Sequence, residues 1–229
     1  MTQTCYPPVQ PDARRHHILH WRHGLALAAL ACSLLPGCSV LPKPAPVEVF
    51  LLPSTLPVSV TPPPGAALPV PMPASLRVTR PAASNLLAGQ RMLVQPEGDR
   101  VSYYKGAQWS EPAPQLLRNR LLDALRSDGR IATLSSDDRI LQADFELDGD
   151  LRAFQGVYRD GQVQVLLRLD LRLVRPATQR IVASRRFELS QPAAERDLPA
   201  VVRAFGDASD RLALQVVDWT VGQMLNASR

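Results

Sequence analysis

Histidine and cysteine are missing from most of this sequence. Cys5, Cys32, Cys38, His16, His17, His20 and His23 are all it has of either, so nothing beyond Cys38 carries a thiol or an imidazole. For that long remainder, a Ser-His-Asp triad, a Cys-His nucleophile pair, a Cys/His zinc site and a disulfide are excluded. Lysine is nearly as scarce: Lys43 and Lys105 are the only two, and the other basic residues are arginines scattered among acids. The formal charge of +5 arises from 26 basic and 21 acidic residues, and Arg14, Arg15 and Arg22 outnumber Asp12 near the start. The field left for the rest is too weak to gather a polyanion, so no nucleic-acid partner is expected. A Gly-rich phosphate loop, a Walker lysine and EF-hand spacing are also lacking, so no cofactor and no metal is expected. What remains, 229 residues with 45% hydrophobic and 21% charged, suits one globular domain plus extensions.

The extensions come first. Arg14, Arg15 and Arg22 form a basic region ahead of the apolar run Gly24–Leu35, whose dozen or so residues fit a signal peptide and fall short of the ~20 needed to span a bilayer. The run ends in Leu35-Pro36-Gly37-Cys38, which resembles the bacterial lipobox. That resemblance implies cleavage before Cys38 and acylation of its sulfur, an anchor strong enough to hold a protein at a membrane when more than one chain is attached. Ser39 stands where an aspartate retains sorted lipoproteins at the inner membrane. By the same resemblance the expected location is the periplasmic face of the outer membrane.

The organisation expected is therefore a signal peptide over 1–37, an anchor and proline-rich linker with one early strand over 38–75, and a domain over 76–229. Twelve prolines between positions 42 and 81 favour extended chain and a semi-rigid spacer. Val47–Leu51 reads as the early strand, and Ser75–Thr79 as the next. A short helical piece is expected over 82–90, then strands at Met92–Val94 and Arg100–Tyr104, then a turn at Lys105–Gln108. Ser110 is a candidate N-cap for a helix running to Ser127, with Pro112 and Pro114 in its first turn, a stripe of Leu117, Leu121, Ala124 and Leu125, and Gly129 as its stop. Apolar residues then alternate with polar ones from Phe145 to Ala153 and from Val163 to Leu173, the period-two pattern of half-buried strands. A loop over 155–162 closes them as a hairpin, and Arg180–Ser190 adds a third strand. Asp197 can cap a last helix from Leu198 to about Leu225, whose stripe of Val201, Phe205, Ala208, Leu212, Val216 and Trp219 is the largest apolar surface in the chain. The fold class expected is α/β: a single domain with a mixed, largely antiparallel sheet flanked by helices.

Few groups are left to carry chemistry. Asp144, Glu146, Asp148 and Asp150 share one strand face and are either a cation or acid/base site or one side of an ion-pair ladder. A hairpin register that sets Asp150 opposite Arg168 and Glu146 opposite Arg172 favours the ladder. Tyr103, Tyr104 and Trp109 form either a ligand- or lipid-contacting patch or a staple holding a hairpin to the next helix. The stripe ending at Trp219 either covers the sheet or meets a partner. These four aromatics are the candidate partner or ligand surface, and Cys38 is the candidate lipidation site.

The succession of features resembles a known family. A lipobox is followed by Phe50-Leu51-Leu52-Pro53, Leu76-Arg77-Val78, Tyr104 and Trp109 ahead of Pro112 and a helix, Ala143-Asp144-Phe145-Glu146-Leu147, and a C-terminal helix with Trp219. This order, over about residues 45–225, is similar to the ABC-type transport auxiliary lipoproteins (PqiC-like). It departs from them in the proline-rich insert at Pro53–Pro73 and in Phe145 where tyrosine is usual. The resemblance implies a non-enzymatic accessory subunit that docks the periplasmic conduit of a lipid transport system. Its implied partners are an MCE-family protein, ABC transporter subunits and further copies of itself in a homo-oligomer. The rival expectation is a periplasmic lipoprotein that itself binds a lipid or small hydrophobic ligand.

Overall fold

A computed structural model describes residues 46–56, 71–139 and 141–228. The expected signal peptide, Cys38 and residues 57–70 of the proline-rich stretch lie outside the described residues. Nine strands and two long helices occur among those described: β1 Glu48–Phe50, β2 Met72–Val78, β3 Ala82–Ala83, β4 Arg91–Glu97, β5 Arg100–Trp109, α1 Ala113–Asp128, β6 Ile131–Ser136, β7 Phe145–Arg159, β8 Gln162–Arg175, β9 Arg180–Pro192 and α2 Leu198–Ala227.

Strand β7 organises the sheet. Along one edge it pairs antiparallel with β8, which pairs antiparallel with β9. Along the other edge it meets β2, β3 and β4 in turn, all parallel to it. Beyond them β6 runs parallel to β2, β5 antiparallel to β4, and β1 parallel to β5. The sheet is thus mixed, with its long ladders antiparallel, as the alternation predicts.

The alternation also fixes which face is buried. Val163, Val165, Leu167, Leu169, Leu171 and Leu173 are each no more than 2% exposed, whereas Arg168, Asp170 and Arg172 between them point outward. Helix α2 packs on β8 and β9 and against α1, which also covers β6. At the centre, Trp109 meets Phe154 and Phe205 edge-on at centroid distances of 5.8 and 5.1 Å. Asp197 caps α2, its Oδ1 accepting from the Ala200 N–H at 2.7 Å, and Gly129 closes α1 in the left-handed conformation at φ 75°.

Several local expectations need correction. The β7–β8 hairpin has a two-residue turn, Asp160-Gly161, both at positive φ, in place of a loop over 155–162. With a bulge beside Arg152, this moves the register by two residues: Asp150 faces Asp170 and Glu146 faces Val174. Ser110 does not cap α1. Its N–H donates to the Phe50 carbonyl at 2.8 Å, extending the pairing with β1, and the helix starts after Pro112 with no side-chain cap. Residues 82–90 form β3 and a turn, because Pro81 and Gly89 bracket too few residues to repay helix nucleation. The chain runs on as strand through 105–108, where Gly106 at φ 69° accommodates an irregularity in the ladder. Strand β6 was not anticipated at all. Among the described residues no helix is long and apolar enough to cross a membrane.

Candidate functional site

The most elaborate polar arrangement in the domain is buried between the helices. Arg120 stands three residues after Leu117 on α1, and Asp210 four after Gly206 on α2, both on the faces these helices turn toward each other. Each side chain is only 6% exposed, and they form a salt bridge. The remaining capacity of both groups is spent on the strap that follows β1, residues 51–56. Asp210 accepts from Ser54 Oγ at 3.2 Å, from the Thr55 N–H at 2.7 Å and from Thr55 Oγ1 at 2.9 Å. Arg120 donates to the Leu52 and Pro53 carbonyls at 3.1 and 2.5 Å. Burial pushes the Arg120 guanidinium below its ordinary range, and the hydrogen bonds to the strap help to offset the cost of such a pair in a low-dielectric interior. Gly206 lets the strap approach: a Cβ there would lie 2.8 Å from the Pro53 oxygen.

Chemically the arrangement is a clamp. Its carboxylate accepts from Arg120 and from three strap donors, and its guanidinium donates to that carboxylate and to two strap carbonyls, so both groups are committed to holding the strap. Beside it a groove of about 450 Å³ runs between the strap, the end of β9 and the start of α2, lined by Pro53, Thr55, Pro192, Ala193, Ala200 and Arg203 among others.

The acidic face of β7 is a ladder of ion pairs. Arg172 bonds Asp148 at 2.7 Å and Asp150 at 3.1 Å, so a single arginine bridges two carboxylates. Asp170 takes Arg186 at 2.6 Å and Arg152 at 3.2 Å, and Arg168 pairs with Glu188 on β9. Hydrogen bonds from Arg186 and then Arg152 hold the Asp170 carboxyl down at about 2. The partners differ from those the expected register implied: Arg168 serves Glu188, and Glu146 pairs with Arg77. Asp144 is set apart, accepting from the Ser75 N–H and hydroxyl at 2.8 and 2.7 Å, so the four acids do not converge. No cluster of three or more metal-ligating side chains occurs among the described residues.

The four candidate aromatics are dispersed. Trp109 is 1% exposed at the aromatic centre of the core, and Trp219 packs edge-on against Phe187 at 5.7 Å. Both are core residues rather than surface, since on a sheet covered by one long helix the widest side chains fill the space between layers. Tyr103 is half-buried under Arg91, 3.8 Å from its ring centroid. Tyr104 lies over Gly156, and burial, with Tyr158 beside it, pushes its phenol up. Surface apolar groups gather instead on the sheet edge, where Val47, Val49 and Leu51 are 54, 57 and 75% exposed.

The sequence reading passed over Arg120, Asp210 and Thr55. The signal available was a charged residue in each of two apolar helical stripes.

The model of the ABC-type transport auxiliary lipoprotein component family matches residues 54–217. An uncharacterised protein of Bradyrhizobium diazoefficiens, bll6063, is 35% identical over 149 residues, 65% of this chain and 40% of that protein. The chain thus matches well under half the length of that relative. The crystal structure of protein XCC0632 from Xanthomonas campestris is similar at 27% identity with a TM-score of 0.69, covering 80% of this chain and 99% of that one. A second crystal structure, of an uncharacterised protein, shares the fold at 19% identity and a TM-score of 0.59, covering 77% and 99%.

Proposed function

This chain belongs to the family of ABC-type transport auxiliary lipoproteins, and from that membership we propose that it works as a lipid-anchored docking subunit of an envelope lipid transport system. In this reading acyl chains on Cys38 hold the protein at the periplasmic face of the outer membrane. The domain engages an MCE-family protein, which continues to inner-membrane ABC subunits, and it does so as a homo-oligomer. Its contribution is positional: it supports envelope integrity by keeping a lipid conduit in register with the membrane.

The observation that carries this reading is the clamp. The segment on the anchor side of the domain is not a loose leader, because β1 is paired into the sheet and the strap after it is bound by Arg120 and Asp210 from both helices. An anchored end built into the core transmits position and load, which is what a docking subunit needs. The outer carboxylates, each held by arginine or by Ser75, fit a structural ladder better than an acid/base pair.

Metabolic labelling with palmitate, followed by separation of inner and outer membranes, tests the anchor. The label is expected in the outer-membrane fraction and lost in Cys38→Ala, which should fold normally and appear as soluble protein. A wild-type product without label would refute the reading. Phospholipid retained at one molecule per chain after purification would favour the rival in which the domain itself carries the lipid.

A further inference from the structure

The clamp changes which part of the chain can act as a tether. We propose that the tether is only the segment between Cys38 and Pro46, that the proline-rich insert at 57–70 adds nothing to reach, and that the hairpin-tip end of the sheet therefore faces the lipid surface. This rests on the anchor reading above.

The direction follows from strand order. β1 runs parallel to β5, with Glu48 level with Ala107. The chain preceding β1 therefore leaves toward the start of β5, and the Pro46 oxygen lies 3.4 Å from where a Gly106 Cβ would stand. The β4–β5 tip, Gly98 and Asp99, lies at that end. Because β7 runs parallel to β4 with Gln95 beside Val157, the β7–β8 turn at Asp160-Gly161 lies there too. The opposite end carries the starts of β2 and β7 and the turn at Pro176–Thr178 between β8 and β9.

The lengths decide the rest. Eight peptide steps from Cys38 to Pro46 reach about 28 Å when fully extended. Pro46, two residues before Glu48, stands level with Lys105, and from there to the tip at Asp99 is roughly 20 Å at about 3.3 Å per residue. A tether of that reach has little length left over beyond the tips, so the tips lie at the headgroups. The far turn is a further ~30 Å away, on the other side of Glu48. The tips suit a headgroup layer, since Glu97, Asp99 and Arg100 on one and Arg159 and Asp160 on the other are polar and of mixed sign. Insert residues 57–70 come after the clamped strap, so lengthening them cannot move β1 away from the anchor.

The test uses the full-length acylated protein in phosphatidylethanolamine–phosphatidylglycerol vesicles doped with a headgroup nitroxide lipid. A bimane is attached at Asp99→Cys or Thr178→Cys, the only free thiol once Cys38 is acylated and the leader removed. Quenching at position 99 is expected to exceed that at 178 at least threefold. Twelve Gly-Ser residues inserted after Lys43 should at least halve the quenching at 99, and the same twelve inserted after Gly65 should leave it unchanged. Equal quenching at 99 and 178, or equal effects of the two insertions, overturns the proposal. If mass spectrometry finds no acyl chains on Cys38, the anchor reading has failed, and this inference fails with it.

Discussion

Removing one carboxylate from the clamp should be among the costliest single substitutions in the domain. In Asp210→Ala, Arg120 keeps the Leu52 and Pro53 carbonyls but loses its salt-bridge partner, while the Thr55 N–H and both strap hydroxyls lose their acceptor. Breaking a buried pair from one side costs about 3–5 kcal/mol, most of it the unpaired charge left behind. For a domain of this size each kcal/mol moves the melting temperature by about 2–4 °C, so the loss should be roughly 6–20 °C by circular dichroism. The control is Asp170→Ala. Asp170 also touches two arginines, but its side chain is 24% exposed on the outer face, so its removal should cost less than about 1 kcal/mol. The double variant Arg120→Met/Asp210→Leu leaves no buried charge in the clamp and should recover more than half of the loss. If Asp210→Ala melts within 2 °C of the parent, or the two aspartate variants cost the same, the clamp does not hold the strap as described.

Two glycines of α2 should respond with opposite signs to the same substitution. Gly222→Ala, where a Cβ meets nothing within 4 Å, should stabilise by up to about 1 kcal/mol through helix propensity, while Gly206→Ala should destabilise because its Cβ would press on the Pro53 backbone; urea midpoints distinguish them. Gly156→Ala places a Cβ 2.5 Å from the Tyr104 hydroxyl and should cost about 1–3 kcal/mol, and a double-mutant cycle should find most of that cost gone in Tyr104→Phe. Asp170 has a depressed folded-state pKa, so its contribution is present above the unfolded carboxyl range near ~3.9 and is lost as pH falls toward about 2. The difference in urea midpoint between the parent and Asp170→Asn should accordingly shrink over that window; a difference that grows on acidification would reverse the sign.

The parts of the fold legible from sequence were those whose pattern is local. The alternation through β7 and β8, the Asp197 cap and the Gly129 stop each act within a few residues, and all appear as expected. What was not legible depended on distant partners. Strand β6 has weak alternation and exists because β2 lies beside it, and Ser110 leaves its expected cap because the Phe50 carbonyl, sixty positions earlier, takes its N–H. The register differs by two residues from the expected one, since the tight turn changes the count and the bulge breaks the alternation after Leu151, leaving Ala153 and Phe154 both buried. The site shows the same division. Trp109 stands out in an aromatic cluster and Trp219 in an apolar helical stripe, but neither pattern tells core from surface. Arg120 and Asp210 were passed over because their meaning depends on each other, ninety residues apart.

Docking of a lipid conduit from a membrane anchor is read out by crosslinking in intact envelopes. With the wild-type chain as bait, an MCE-family protein should be recovered as the dominant crosslinked partner, and Cys38→Ala, expressed at the same level, should reduce that recovery at least tenfold. Recovery of no MCE-family protein, or recovery unaffected by loss of the anchor, would show that the domain is not an anchored docking subunit.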